Sequence, residues 1–95
     1  MNTQNEKYNG WTNYATWRVN LEIFDGMNLE DLTGSTEWDQ YDLSVYLCDW
    51  AQEIIYNDTP DGGLARDYAL AFLSDVNWHE IAKHMIADAT EESAA

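Results

Sequence analysis

The stretch NGWTNYATWRVNL, residues 9–21, predicts the first helix, and the rest of the chain is organised around it. It holds two tryptophans, a tyrosine and one of the four basic residues of the chain. Thr12 or Asn13 can cap the helix, because a side-chain oxygen at that position accepts a backbone N–H that the first turn leaves unpaired. The stretch is therefore interpreted as a helix start that braces the domain, and not as a catalytic motif.

The residues that follow predict which side of this helix faces the core and where the helix ends. Trp17, Leu21 and Phe24 recur at spacings of four and three residues, which is typical of one apolar helix face. Gly26 is the predicted stop, because glycine readily adopts the left-handed conformation that ends many helices. We expect the three apolar side chains to lie in the core.

The longest helix is predicted to begin at Ser35 or Thr36 and to end near Asn57. Its first turn would then contain the acids Glu37 and Asp39, which favour a helix N-terminus. A rotation of about 100° per residue gives the helix two separate faces. The apolar face consists of Leu43, Leu47, Trp50 and Ile54, with Ala51 and Ile55 at its edge. The acidic face, within an arc of about 80°, consists of Asp39, Asp42, Asp49 and Glu53.

The remaining segments predict a connector, a turn and two further helices. Residues 27–35 are expected to lie on the core as a connector. The sequence NDTPDGG, residues 57–63, predicts a turn, because proline presets one dihedral angle and the two glycines permit positive φ. A third helix is predicted at residues 64–73. A last helix is predicted at residues 78–89, with Asn77 as its N-cap.

These elements predict an all-α fold, a compact single-domain bundle of about four helices. The domain is expected to span residues 1–95. Residues 1–10 and 90–95 are expected to be flexible, since chain termini are ordered only where other elements hold them. The alternative to a purely helical chain is a short strand near residues 8–12 or 27–33.

The charge of the chain is its extreme property. Eighteen Asp and Glu residues stand against four Lys and Arg residues, which gives a formal net charge of −14. Direct binding to nucleic acid is not expected because it requires a basic surface, and an anionic membrane would repel the chain. A basic partner is the natural complement. No stretch reaches the about 20 apolar residues that a membrane span needs, so we expect a soluble, cytoplasmic protein.

Two pairs of side chains carry expectations about internal contacts. Tyr68 and Phe72 of the third helix are expected to pack closely with the alanines around them. Arg18 and Arg66 are expected to pair with Asp or Glu residues, because a base that relieves local repulsion supports the folding of so acidic a chain.

Three candidate chemistries are rejected: a zinc site and a calcium site on their spacing, and a nucleophilic Cys48 with His79 or His84 on its setting. The sequence HEIAKH, residues 79–84, places its histidines five residues apart, whereas a zinc metalloprotease motif needs them one helical turn apart. Asp58 and Asp61 lack the alternating ligands of a calcium-binding EF-hand loop. Cys48, the only cysteine, is expected within a helix as a small apolar residue. We expect no catalytic residues, no metal and no cofactor, and therefore no enzymatic activity.

The acidic face of the longest helix is the predicted partner-binding site. The predicted contacts are Asp39, Asp42, Asp49 and Glu53, with Trp38 and Tyr46 as nearby aromatic anchors. The four carboxylates rise along the helix axis by about 4.5, 10.5 and 6 Å in turn, and phosphates of one DNA strand rise by about 3.4 Å each. The helix can thus present negative charge at roughly phosphate-like intervals. The alternative is an ordinary solvated helix face.

Two segments resemble a family of small acidic proteins encoded by phages and plasmids. The sequence YNGWTNYATW, residues 8–17, is similar to the family signature N-G-W-x-N-Y-x-T-W, with Ala15 where an acid is common. The sequence NWHEIA, residues 77–82, is similar to a second family segment, N-W-x-E-I-A. The resemblance implies an origin in a mobile element. Small acidic proteins of that origin are often inhibitors of host defence, including antirestriction and anti-CRISPR proteins, and several of them imitate DNA.

Three functional hypotheses follow from these observations. The lead hypothesis is a stoichiometric inhibitor, an acidic DNA mimic that occupies the positively charged DNA-binding site of a host defence nuclease or CRISPR-Cas surveillance complex. The second is an inhibitor that binds a protein surface allosterically, or blocks subunit assembly, through its aromatic residues. The third is a small structural or assembly module. Both a monomer and a homodimer are compatible with the sequence.

Overall fold

A computed structural model of the chain describes the backbone of residues 8–94 and the side chains of residues 8–91. The described chain folds into five α-helices and one π-helix: α1 (Tyr14–Val19), the π-helix (Asn20–Phe24), α2 (Leu29–Thr33), α3 (Gln40–Asp58), α4 (Gly63–Leu73) and α5 (Trp78–Ala94). The all-α prediction is confirmed, although the structure has five α-helices where about four were expected. The predicted alternative of a short strand is reduced to an isolated bridge between Tyr8 and Trp11.

The additional helix is α2, which lies within the predicted connector. Asn28 caps its start, and its side-chain oxygen accepts the backbone N–H of Asp31 at 2.7 Å. Gly34 ends the helix in the left-handed conformation, with φ of 84°. A helix of five residues is too short to show a helical period, so its cap residues were its only local indication.

The junction between α1 and the π-helix changes which residues face the core. Of the two predicted caps, Thr12 and Asn13, it is Asn13 that caps α1, because its side-chain oxygen accepts the backbone N–H of Thr16 at 2.9 Å. Phe24 is buried as predicted, but Leu21 is 45% exposed, and its assignment to the core is wrong. A π-helix bonds residues five apart instead of four. The buried position after Val19 therefore falls at Phe24, and a pattern of three- and four-residue steps misses this shift.

α3 begins at Gln40, and not at Ser35 or Thr36 as predicted. The residues before it are held outside the helix by a local hydrogen bond, in which the Ser35 hydroxyl accepts the backbone N–H of Glu37 at 3.0 Å. Glu37 consequently lies before the helix. Asp39, which was also expected in the first turn, is the N-cap residue.

The predicted apolar face of α3 is confirmed at Leu43 and Leu47, but Ala51, which was predicted at its edge, lies at its centre. Leu43, Leu47 and Ala51 are fully buried, and Trp50 and Ile54 lie half-buried at the edge of the same face. α3 packs most extensively on α5 and then on α4. Since α3 is the longest helix of the described chain and contacts both, its outward side is held in a fixed orientation by the core.

The last two helices are longer than predicted. α4 begins at Gly63, one residue before the expected start. α5 continues to Ala94, beyond the expected end at residue 89. The predicted flexibility of residues 90–95 stays a prediction, and residues 1–7 of the expected flexible arm lie outside the described residues.

Tyr68 does not pack closely, contrary to the prediction, and Phe72 packs only in part, against Tyr14. Both rings are exposed, and Tyr68 is 69% accessible to solvent. The buried residue of this helix is Leu73, which lies about 140° around the helix axis from Tyr68. The helix therefore turns the side with Leu70 and Leu73 inward and leaves the side with Tyr68 exposed.

Hydrogen bonds join the first helix start to the last one. The Thr16 hydroxyl donates to the Asn13 side-chain oxygen at 2.6 Å and accepts the backbone N–H of Asn77 at 2.9 Å. The side-chain NH₂ group of Asn77 donates to the Thr12 hydroxyl at 3.0 Å, and the side-chain oxygen of Asn77 accepts the backbone N–H of Glu80 at 3.1 Å. Glu80 in turn accepts the backbone N–H of Thr12 at 2.8 Å. The caps of α1 and α5 thus form one network, which gives the opening stretch a bracing role in the fold.

Candidate acidic interface

The outward side of α3 carries the four acids predicted as partner contacts. Asp39, Asp42, Asp49 and Glu53 are all exposed. Asp42, Asp49 and Glu53 lie on the side of the helix that faces away from its buried residues, so the core fixes their direction. With about 1.5 Å of rise per residue, the three acids within α3 span about 16 Å along its axis. We call Asp42, Asp49 and Glu53 the acidic stripe.

Asp39 differs from the other three acids because its carboxylate caps the helix. Its side-chain oxygen accepts the backbone N–H of Asp42 at 2.7 Å. A carboxylate in this position satisfies an unpaired donor and interacts favourably with the positive end of the helix dipole. Asp42 also lies in the first turn of α3, where a negative charge is favourable. Folding therefore accounts for Asp39 and Asp42, whereas it gives no corresponding account of Asp49 and Glu53.

No basic side chain of the described residues lies within ion-pair distance of the acidic stripe. Among residues 8–91 the one ion pair joins Arg18 to Glu22 at 3.5 Å. The hydrogen bond from Arg18 to the Tyr14 hydroxyl, together with the charge of Glu22, raises the pKa of the Arg18 guanidinium. The carboxylates of the stripe are left to interact with solvent or a partner.

Arg66 pairs with no acid of the described side chains, contrary to the prediction. Its guanidinium donates to the Thr59 hydroxyl at 3.1 Å and to the Thr59 carbonyl oxygen at 2.5 Å. It also lies over the Tyr56 ring, with 4.6 Å between the guanidinium carbon and the ring centroid. The residue fastens α4 to the C-terminal end of α3, where unpaired carbonyl groups attract a cation.

Trp38 and Tyr46, the predicted aromatic anchors, make internal contacts. Both side chains are half-buried, and their ring centroids lie 5.2 Å apart. The Trp38 indole N–H donates to the Thr33 hydroxyl at 2.9 Å, and the Tyr46 hydroxyl donates to the Leu32 carbonyl oxygen at 3.3 Å. The pair fastens α2 to α3, and its contribution to partner binding stays a prediction.

Three exposed side chains beside the acidic stripe were not predicted from the sequence. They are Tyr41, Val45 and Tyr56. Val45 and Tyr56 lie within about 40° of Asp49 around the helix axis. The same helical projection that groups the acids would have found these two. The outward side of α3 is therefore a mixed surface of carboxylates and apolar groups.

A shallow groove of about 350 Å³ borders this surface, between α3 and the start of α5. Its lining includes Tyr41, Val45, Cys48, Asp49 and Trp78. The Cys48 sulfur is half-buried and accepts a hydrogen bond from the Gln52 amide at 3.1 Å. The groove adds a concave, largely apolar surface to one side of the acidic stripe.

The two histidines of the α5 sequence HEIAKH have separate neighbours. His79 lies beside Tyr41, with 6.0 Å between ring centroids, and His84 lies on Trp11 at 4.4 Å. Within the described residues no group of three or more His, Cys, Asp or Glu side chains is placed to hold a metal ion. No helix of that part of the chain is long and apolar enough to cross a membrane.

Comparison of the chain with protein-family models, with curated proteins and with solved structures gives no match. The resemblance to the phage and plasmid family therefore stays a proposal based on its two segments. In the structure these segments contain Thr12, Thr16, Asn77 and Glu80, which belong to the network of helix caps. Their contacts give them a shared structural role and assign them no chemistry.

Proposed function

We propose that the protein is a phage-type inhibitor of host defence that acts as an acidic DNA mimic. It would occupy the positively charged DNA-binding site of a defence nuclease or a CRISPR-Cas surveillance complex. In this proposal it works by stoichiometric binding in the cytoplasm of a bacterial host and performs no catalysis. Its partner is the basic surface of the target protein.

The observation that carries the proposal is the exposed acidic stripe, which has no ion pair with any basic side chain of residues 8–91. Every described Asp and Glu is exposed except the half-buried Glu80, and the formal net charge is −14. A basic channel attracts such a surface over long range and then exchanges its bound counterions for fixed carboxylates. Solubility alone requires a much smaller net charge, of magnitude about 2 to 8 for a small domain.

The spacing of the stripe supports the same conclusion. Asp42 and Asp49 are separated by about 10.5 Å along the axis, and Asp49 and Glu53 by about 6 Å. Three and two phosphate steps of one DNA strand correspond to about 10 and 7 Å. A rigid helix can therefore align its carboxylates with side chains that bind DNA phosphates, without the ordering cost that a flexible acidic tail would incur.

The experiment is a binding and competition assay with purified defence nucleases and surveillance complexes. Binding is measured at NaCl concentrations from about 50 to 500 mM, a range that strongly affects contacts between exposed charges, and each complex is also tested for displacement of its DNA. The triple variant Asp42→Lys, Asp49→Lys, Glu53→Lys should bind at least about tenfold more weakly per reversed charge.

A matched control separates the stripe from total charge. The triple variant Asp25→Lys, Asp88→Lys, Glu91→Lys reverses three exposed acids outside α3 and changes the net charge equally. It should retain most of the affinity. The proposal is refuted if no target binds at low salt, if the two triple variants bind equally, or if target-bound DNA is not displaced.

The exposed apolar side chains of α3 favour a second candidate function. Tyr41, Val45 and Tyr56 lie beside the acids, so an inhibitor could bind an allosteric or assembly surface mainly through these groups. In that case Tyr41→Ser and Tyr56→Ser should abolish inhibition, charge reversals should be tolerated, and DNA should remain bound to the inhibited target.

A further inference from the structure

A second exposed surface lies on α4 and α1, away from the acidic stripe. Leu64, Tyr68 and Phe72 follow one another at four-residue intervals along α4, and all three are exposed. Their row extends about 12 Å along the helix. Phe72 contacts Tyr14 at 6.2 Å between ring centroids, and Tyr14 contacts Tyr8 at 5.1 Å. We call these five residues the aromatic row.

A groove opens beside the aromatic row, between α1, the π-helix and the C-terminal half of α4. Its volume is about 360 Å³, and apolar side chains supply most of its lining. Tyr14 and Phe72 form part of its wall, and Val19, Ile23 and Leu73 are among its other lining residues. Row and groove together form a continuous apolar surface, which in a monomeric protein commonly marks an interaction site.

The described charges around this surface are predominantly negative. Asp61 precedes α4, Asp67 lies one residue before Tyr68, and Asp75 follows the helix; all three acids are exposed. The Arg18–Glu22 pair at the groove is neutral as a unit. Arg66, the basic residue of α4, is hydrogen-bonded to Thr59. The aromatic row is therefore bordered by acids that α4 does not neutralise.

We propose that the aromatic row and its groove bind a cationic amphipathic helix of a partner protein. A helix can place apolar residues at intervals of three and four positions against a row about 12 Å long, which corresponds to roughly two turns. Lys or Arg residues on its flanks would then face Asp67 and the acids at both ends of α4. This surface is independent of the acidic stripe, so the protein can engage two partners or two parts of one partner.

A second copy of the chain fits this surface poorly. Two copies joined across the row would each bring a formal charge of −14 to the same interface. A two-fold arrangement would place the acids around the two rows close together, where like charges repel. Charge complementarity therefore selects a basic partner over self-association.

The test uses three designed peptides of about 18 residues, long enough to form helix in water. One has a leucine stripe with lysine flanks, one has the same stripe with glutamate flanks, and one has the lysine peptide's composition in scrambled order. Binding is followed by ¹⁵N–¹H spectra of the whole protein at about 150 mM salt, where the screening length is about 8 Å. The lysine-flanked amphipathic peptide should shift resonances of α1 and α4, and the other two should bind at least about tenfold more weakly.

Matched variants decide whether the aromatic row is responsible. Tyr68→Ser removes a tyrosine that is 69% exposed on α4, and Tyr41→Ser removes one that is 63% exposed on α3. Tyr68→Ser and Leu64→Ser should weaken binding of the lysine-flanked peptide at least about tenfold. Tyr41→Ser should change it less than about twofold, and Asp67→Asn should weaken it more than Asp42→Asn.

Several results would overturn this inference. Equal binding of the scrambled peptide, shifts confined to α3, or equal effects of Tyr68→Ser and Tyr41→Ser would each show that the row is not the binding surface. Sedimentation that reveals a dimer abolished by Tyr68→Ser would assign the row to a second copy instead. The charge reversals at Asp42, Asp49 and Glu53 test the proposed DNA mimicry separately, because they leave the row intact.

Discussion

Replacement of Thr16 by valine should destabilise the protein more than any other change of a hydroxyl to a methyl group in its described helices. Thr16 is fully buried. Its hydroxyl donates to Asn13 at 2.6 Å and accepts the backbone N–H of Asn77 at 2.9 Å. Valine keeps the size and branching of the side chain, so packing is largely preserved and the loss is confined to these two hydrogen bonds.

The expected cost follows from the groups that lose their partners. Each hydrogen bond contributes about 1 kcal/mol, and an unsatisfied buried donor such as the Asn77 N–H costs about 1 to 3 kcal/mol. Thr16→Val should therefore lower the free energy of unfolding by about 2 to 4 kcal/mol. That is a large part of the about 5 to 15 kcal/mol typical of a small domain.

Urea unfolding followed by tryptophan fluorescence and by far-ultraviolet circular dichroism measures this cost. With a slope of about 1 to 1.5 kcal/mol per molar urea for a domain of this size, the midpoint should fall by about 2 M. Thr90→Val is the matched control, because the exposed Thr90 hydroxyl donates to the Ile86 carbonyl oxygen within α5, and it should cost less than about 0.5 kcal/mol. If the two variants unfold at the same urea concentration, the capping network does not hold the two helix starts together.

Three further predictions concern the charge and the register of the helices. The melting temperature should rise when NaCl is increased from about 10 to 500 mM, since salt screens the self-repulsion of the −14 charge; a flat or falling curve measured by circular dichroism would contradict this. In urea unfolding, Phe24→Ala should lower the free energy of unfolding by about 3 to 5 kcal/mol and Leu21→Ala by less than about 1 kcal/mol, because Phe24 is 2% and Leu21 45% exposed. Similar losses for the two variants would mean that the π-helix register is incorrect. Asp39→Ala should lower the free energy of unfolding by about 1 kcal/mol through loss of the cap. Asp58→Asn should raise it by about 0.5 kcal/mol, since Asp58 opposes the helix dipole at the C-terminal end of α3. If calorimetry shows that both variants change stability in the same direction, the dipole argument is refuted.

The parts of the fold that could be predicted are those with local chemical signals. Asn77, and Thr12 or Asn13, were predicted as caps because each has a side-chain oxygen that can accept an unpaired backbone N–H at a helix start. The core face of α3 was identified because a helix of 19 residues repeats its apolar pattern several times. The acidic stripe followed from the same repetition, and the structure leaves its acids exposed.

The parts that could not be predicted depend on tertiary context or on unusual hydrogen bonding. Leu21 was placed in the core because an α-helical period was extended through a π-helix. Arg66 was paired with an acid because charge alone was considered, whereas the structure holds it with the carbonyl and hydroxyl oxygens of Thr59. Tyr68 was expected to be packed because aromatic residues usually gain from burial, and the side on which α4 meets the core cannot be read from so short a helix.

The positions of the acids along the helices separate those that folding explains from those that it does not. Asp39 caps α3, and Glu30 and Asp31 lie in the first turn of α2, where a negative charge meets the positive end of the dipole. Asp49 lies at the middle of α3 and Glu53 in its C-terminal half. The benefit of the first turn is absent there, and no cation among residues 8–91 is paired with them. Their contribution to folding is neutral or unfavourable, and each adds to the repulsion within a chain of −14. A cost to stability without a structural return is what a surface shaped for a basic partner would show, and it makes Asp49 and Glu53 the acids of α3 most directly tied to the proposed function.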